Sequence, residues 1–184
     1  MCNVGGQGRR DLFLTRGQPF LGMFIVMQAC AKQMMRQGIP NADDSPASSH
    51  PYSIVNTSSV AGMRGTPAMI AYTSSKAAVL AMTVTASKDL APFGIRVNSI
   101  SPALIGPGMM WDRQNTLHAE SGSPYFDPDP VVVAEKKIAS VPLKRLGTTE
   151  EVIKSVAFLL SDQSSYTTGI NLVVDGGMAS GLRA

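Results

Sequence analysis

Tyr72 and Lys76 stand four residues apart, a spacing that puts both side chains on one face of a helix. Ser59 lies thirteen residues before the tyrosine, at the end of the run Ile54-Val55-Asn56-Thr57-Ser58. A serine at the carboxyl end of a strand meets such a helix where open α/β sheets place their active sites. Together the three side chains can move a proton to or from a carbonyl or alcohol oxygen. A free tyrosine titrates near about pH 10, too high for a base at neutral pH, and a nearby ammonium favours its phenolate. The serine hydroxyl would hold the substrate oxygen beside it.

The flanking pattern supplies the elements that must position these groups. Apolar residues at Phe20, Met23, Phe24, Met27, Ala31, Met34 and Met35 recur at helical spacing, and Gly38 and Pro40 stop the helix. A polar, proline-rich loop covers 39–51. A short buried strand begins at 53–56 and ends near Ser58 and Ser59. Residues 60–69, with two glycines and a proline, read as a loop. A long helix runs from about Ala71 to Leu90, closed by Pro92 and Gly94, and a second strand from Ile95 to Ile100 is ended by Pro102. Residues 103–147 form a proline-rich substrate loop or lid, with a helix near 131–139. Thr148 or Thr149 caps a helix that carries Glu150 and Glu151 in its first turn and ends near Leu160. A last strand, 170–174, precedes the turn Asp175-Gly176-Gly177. Alternating strands and helices predict an α/β fold, a partial doubly wound, Rossmann-like parallel sheet of three strands with flanking helices.

Composition bounds the function. The 184 residues are 44% hydrophobic and 16% charged, with a net charge of +3. That balance is globular, and the scattered lysines and arginines do not make a nucleic-acid surface. No stretch is apolar enough to span a bilayer, and residues 1–18 lack the apolar core of a secretory signal. Two cysteines, Cys2 and Cys30, are too few for a disulfide framework or a metal site, and Cys30 reads as a small buried hydrophobe. A reducing cytoplasmic setting is expected. His50 and His118 read as isolated loop histidines, Asp127-Pro128-Asp129-Pro130 as a solvated turn, and Lys144 and Arg145 as solvated. Trp111, Met109 and Met110 cover the substrate side or pack a lid helix.

These residues resemble the short-chain dehydrogenase/reductase family, in order, over 20–181. The Tyr-x-x-x-Lys pair is Tyr72 and Lys76, and the serine at its usual distance is Ser59. Gly94-Ile95-Arg96-Val97-Asn98-Ser99-Ile100-Ser101-Pro102 is similar to the strand that ends over a nicotinamide. Ser165-Tyr166-Thr167-Thr168-Gly169 and Val174-Asp175-Gly176-Gly177 resemble the C-terminal signature. The resemblance implies an NAD- or NADP-dependent oxidoreductase that interconverts an alcohol and a carbonyl. It gives Ser59, Tyr72 and Lys76 the catalytic roles. Tyr72, Lys76, Pro102, Ala103 and Ile105 fall to the cofactor. It also implies a homo-oligomer, with Ala77, Ala78, Ala81 and Ala86 as a helix contact.

Three features depart from the family's pattern. One βαβ unit takes about 30 residues, and 19 precede Phe20. Residues 1–19 therefore read as a flexible non-family segment ahead of a truncated domain over 20–184, and Gly5-Gly6-Gln7-Gly8 as no phosphate cradle. The family's helix asparagine falls at Pro19. Ala103 stands where a glycine is usual. An alternative function follows: a non-catalytic relative that pairs with a full-length sister, whose first strand is a sheet edge with apolar surface exposed beside it.

Overall fold

The computed structural model describes residues 19–38 and 51–180. Cys2, the Gly5-Gly6-Gln7-Gly8 stretch, the 39–50 loop and His50 lie outside them. Three strands, β1 (Tyr52–Thr57), β2 (Ile95–Pro102) and β3 (Asn171–Val174), form one parallel sheet in the order β1-β2-β3. The helices are α1 (Pro19–Gln37), α2 (Val60–Arg64), α3 (Ile70–Leu90), α4 (Met109–Glu120), α5 (Pro130–Ser140) and α6 (Thr149–Leu160). Helices α1 and α3 cover one face of the sheet. There Ile95 and Val97 pack on Met27, Ala31 and Ala86, joined by Tyr52 and Ile54 from the registered positions of β1.

Helix α6 covers the other face. Thr148 caps it and Glu151 returns the bond, a reciprocal capping box. Its far end is held by the centre strand. The Arg96 guanidinium is buried and donates to the carbonyls of Leu159, Ser161 and Ser164 at 2.9–3.1 Å. A cation belongs at those last carbonyls, where the helix dipole is negative. Asn98 ties β2 to the strand entry, donating to Thr167 O at 2.9 Å and accepting from Ile170 N at 3.1 Å. A buried strand this polar is tolerated because its side chains find partners.

Among the described residues, strand β1 is an edge. Tyr52 N donates to Gly94 O and Ser58 N to Ile100 O. By alternation the peptide groups of Ser53, Val55 and Thr57 then face the open side. Helix α1 flanks that edge with Leu21, Phe24, Ile25 and Val26 exposed. Its apolar stripe is thus wider than the core it meets, and the sheet beneath it is too narrow to cover the stripe.

Several sequence expectations are corrected. The 60–69 loop contains a helical turn, α2, because Ser59 supplies an N-cap. The substrate loop holds a second helix, α4. Cys30 is exposed rather than buried, because α1 turns that face away from the sheet. His118 is no loop residue: it lies on α4 and is 3% exposed. The alanine pattern on α3 divides. Ala86 enters the core, while Ala77 and Ala81 face outward. Pro102 completes β2 rather than ending it early.

Candidate active site

The carboxyl end of β1 turns directly into α2, and Ser59 sits at that turn. Its Oγ accepts from Ala61 N at 3.2 Å. The hydroxyl lies 3.5 Å from Pro102 O, at the weak limit of a hydrogen bond, so it can turn to another acceptor at little cost. This contact also brings Ser59 to the carboxyl end of β2.

Lys76 is fixed to the same turn from three directions. Ser58 Oγ donates to Lys76 O at 2.8 Å. The Lys76 ammonium donates to Thr57 O, the last open carbonyl of the β1 edge, at 2.9 Å. Gly62 of α2 lies flat against the α3 backbone, where a Cβ would stand 2.7 Å from the Lys76 carbonyl carbon. Only a glycine allows α2 and α3 to approach so closely. The ammonium lies 5.7 Å from the Tyr72 ring centroid, one turn back along α3. Burial lowers the Lys76 pKa from its ordinary value. The structure therefore gathers Ser59, Lys76 and Tyr72 at the carboxyl ends of β1 and β2, with Pro102 beside them.

The segment after β2 adds a peptide group of a different kind. Gly147 donates to Leu104 O and accepts from Gly106 N, so it pairs across from Ile105. In a parallel pairing of this form, the N–H and C=O of Ile105 face away from Gly147. Nothing among the described residues bonds to them. One free donor beside one free acceptor matches a carboxamide, the polar group of nicotinamide. Ala103 N is by contrast consumed by Val174 O at 3.1 Å. The nicotinamide end of a dinucleotide thus finds suitable groups here; a phosphate cradle is not among the described residues.

Helix α4 lies over this region. Gln114 Nε2 is 3.6 Å from the sulfur of Met69, the residue that precedes α3. A Cβ on Gly106 would stand 3.4 Å from Trp111 Cγ. Trp111 is buried, while Met109 and Met110 project outward at 78% and 70% exposure. So Trp111 packs the lid and the two methionines remain free. An open cleft of about 420 Å³ lies elsewhere, between β3, α6 and the 141–147 turn. Of the expected cofactor residues it includes Ile105 alone, and it reaches none of Ser59, Tyr72 and Lys76.

Known proteins agree with this architecture. A profile described as enoyl-(acyl carrier protein) reductase matches residues 19–179. The chain belongs to the short-chain dehydrogenase/reductase family. A 3-oxoacyl-(acyl-carrier-protein) reductase of Thermotoga maritima is 39% identical over 126 residues, 68% of this chain and 45% of that protein. A short-chain dehydrogenase/reductase of Botryotinia fuckeliana is 38% identical over 127 residues, 68% of this chain and 45% of that protein. An NAD+-bound xylitol dehydrogenase superposes with a TM-score of 0.78 at 48% identity, covering 86% of this chain and 56% of that structure. The chain spans about half the length of these relatives. Sequence reasoning had not singled out Arg96, Gly62 or the Lys137–Asn115 contact of the lid. Only Gly62 carried a signal, a glycine between Ser59 and Tyr72.

Proposed function

We propose that this chain carries the proton-transfer half of an NAD- or NADP-dependent oxidoreductase acting on an alcohol or carbonyl. One observation supports it most. Lys76 is locked beside Ser59 through Thr57, Ser58 and Gly62 while its ammonium faces the Tyr72 ring. On this reading Ser59 Oγ gives up its weak contact to Pro102 O and donates to the substrate oxygen. The Tyr72 hydroxyl gives or takes the proton on that oxygen. The Lys76 ammonium stabilises the charge left on the phenol oxygen and reaches a ribose hydroxyl. The peptide group of Ile105, with Pro102 and Ala103 alongside, would hold the nicotinamide carboxamide. Hydride exchange is the chemistry that a bound nicotinamide dinucleotide supplies.

The test uses the purified chain and its Tyr72→Phe variant. Wild type is expected to bind NADH or NADPH by fluorescence and to reduce members of a carbonyl panel. The variant should keep the binding and lose turnover by about 10²–10⁴-fold. A wild-type chain that neither binds nor turns over would sink the reading for this chain alone.

The open β1 edge and the exposed apolar face of α1 favour a second reading, a non-catalytic subunit completed by a related full-length chain. It predicts aggregation or co-purification with such a chain. A well-behaved monomer with a sharp thermal transition would count against it.

A further inference from the structure

The lid formed by α4 and α5 has its own small core, and that core is built around a histidine with nothing to bond. Trp111, Asn115 and His118, at i, i+4 and i+7, make the buried stripe of α4. Val133 and Lys137 face it from α5. The His118 ring stacks on Phe126 of the connecting turn, with centroids 4.1 Å apart and planes 9° apart. Both of its nitrogens are buried without a partner among the described residues. The Lys137 ammonium lies in the same core, donating to Asn115 Oδ1 at 2.6 Å and standing 5.4 Å from the Trp111 ring centroid.

We propose that this lid is a proton-triggered latch: protonation of His118 opens the α4–α5 pair and releases α4 from Gly106 and Met69. An imidazolium has two N–H donors, and the closed core offers neither an acceptor. It would also be a second cation beside Lys137, in a place closed to water. Opening supplies water to both nitrogens, so the open lid takes the proton more readily and acid favours it. The surroundings offer no rescue. Asp127, next to Phe126 in the turn, is held by Lys136 at 3.0 Å. The frame under α4 presents Gly106 and Met69, neither of them charged. Burial and the Lys137 charge lower His118 from its ordinary 6.5 to about 4, in keeping with this geometry. Between those values the closed-to-open ratio falls by up to about 300-fold.

Trp111 is the chain's single tryptophan, so its emission reports this core alone. The latch is read there and not in turnover, which separates its failure from failure of the catalytic reading. On acidifying the full chain from pH 6.5 toward pH 4, the emission should shift while far-UV circular dichroism keeps its helical signal. His118→Phe, which preserves the stack and removes the proton site, should abolish the shift. Lys137→Met, which removes the neighbouring cation, should move the midpoint to lower pH. The proposal is overturned by a flat wild-type emission, by loss of all secondary structure at the same midpoint, or by an unchanged transition in either variant. If His118→Phe does not fold, the Lys137→Met midpoint decides alone.

Discussion

The sheet frame and the lid both bury cations, and they treat them differently. In the frame, Arg96 gives its terminal nitrogens to the carbonyls at the end of α6, leaving only Nε unpartnered. Those carbonyls need donors whatever the pH, so charge and helix end satisfy each other. In the lid, Lys137 has one side-chain oxygen and one aromatic face, and burial pushes it down to about 8. His118 has no polar partner among the described residues. The frame is thus held by bonds that do not titrate in the physiological range, and the lid by contacts that tolerate charge poorly. Rigidity around Ser59, Tyr72 and Lys76, and charge sensitivity in the α4–α5 pair, is the division that follows.

The largest expected effect tests the frame. Arg96→Ala removes the donor shared by the Leu159, Ser161 and Ser164 carbonyls and leaves a void between β2 and the end of α6; it should cost about 3–4 kcal/mol in urea unfolding, at any pH between 5 and 8. A marked pH dependence of that loss would break the contrast.

Acid should then cost the lid. A histidine lowered when folded is neutral there while the unfolded chain still takes a proton. Stability present above pH 6.5 is therefore lost as pH falls toward 4, by about 3 kcal/mol in all. His118→Phe should flatten this part of the stability profile. Lys137 acts with the same sign at the other end: stability rises as pH climbs from about 8 toward 10.5.

Gly62→Ala comes next, at about 1–3 kcal/mol by overpacking, because the methyl meets α3 backbone rather than a yielding side chain. It should also move Ser59 away from Lys76, so any turnover should fall by more than the stability loss explains. Smallest is Asp129→Ala, which removes the N-cap that accepts from Val131 N at 2.8 Å. It should cost about 1 kcal/mol and speed hydrogen exchange in α5 while leaving α3 unchanged.

Much of the frame was legible in the sequence because its signals are local. Pro92 and Gly94 close α3, Thr148 and Glu151 cap α6, and apolar periodicity marks α1 and α3. The same logic placed Ser59 at a strand end and Tyr72 one turn from Lys76. Where it failed, the deciding partner was distant. Helix α2 was hidden among glycines: Ser59 caps it, but Gly62 serves the close approach to α3, which no local pattern marks. His118 carries no local sign of its helix, because α4 is stabilised by Val133 and Lys137, more than a dozen residues on.

The residue types and spacings by themselves determined the alternation of strands and helices that makes a parallel sheet, and the motifs around Ser59, Tyr72 and Lys76 carried the resemblance to the family to which the chain belongs. They also put Tyr72 and Lys76 on one helix face and Ser59 at a strand end. Those properties follow from helix and strand periods and from short motifs, which a local stretch carries. Tertiary structure alone decided that Lys76 spends its ammonium on the open edge of β1 and that Ile105 keeps a free peptide group. It alone closed His118 into a core without partners. Each of these depends on which atoms are left over once distant segments have packed, and no local pattern records that remainder.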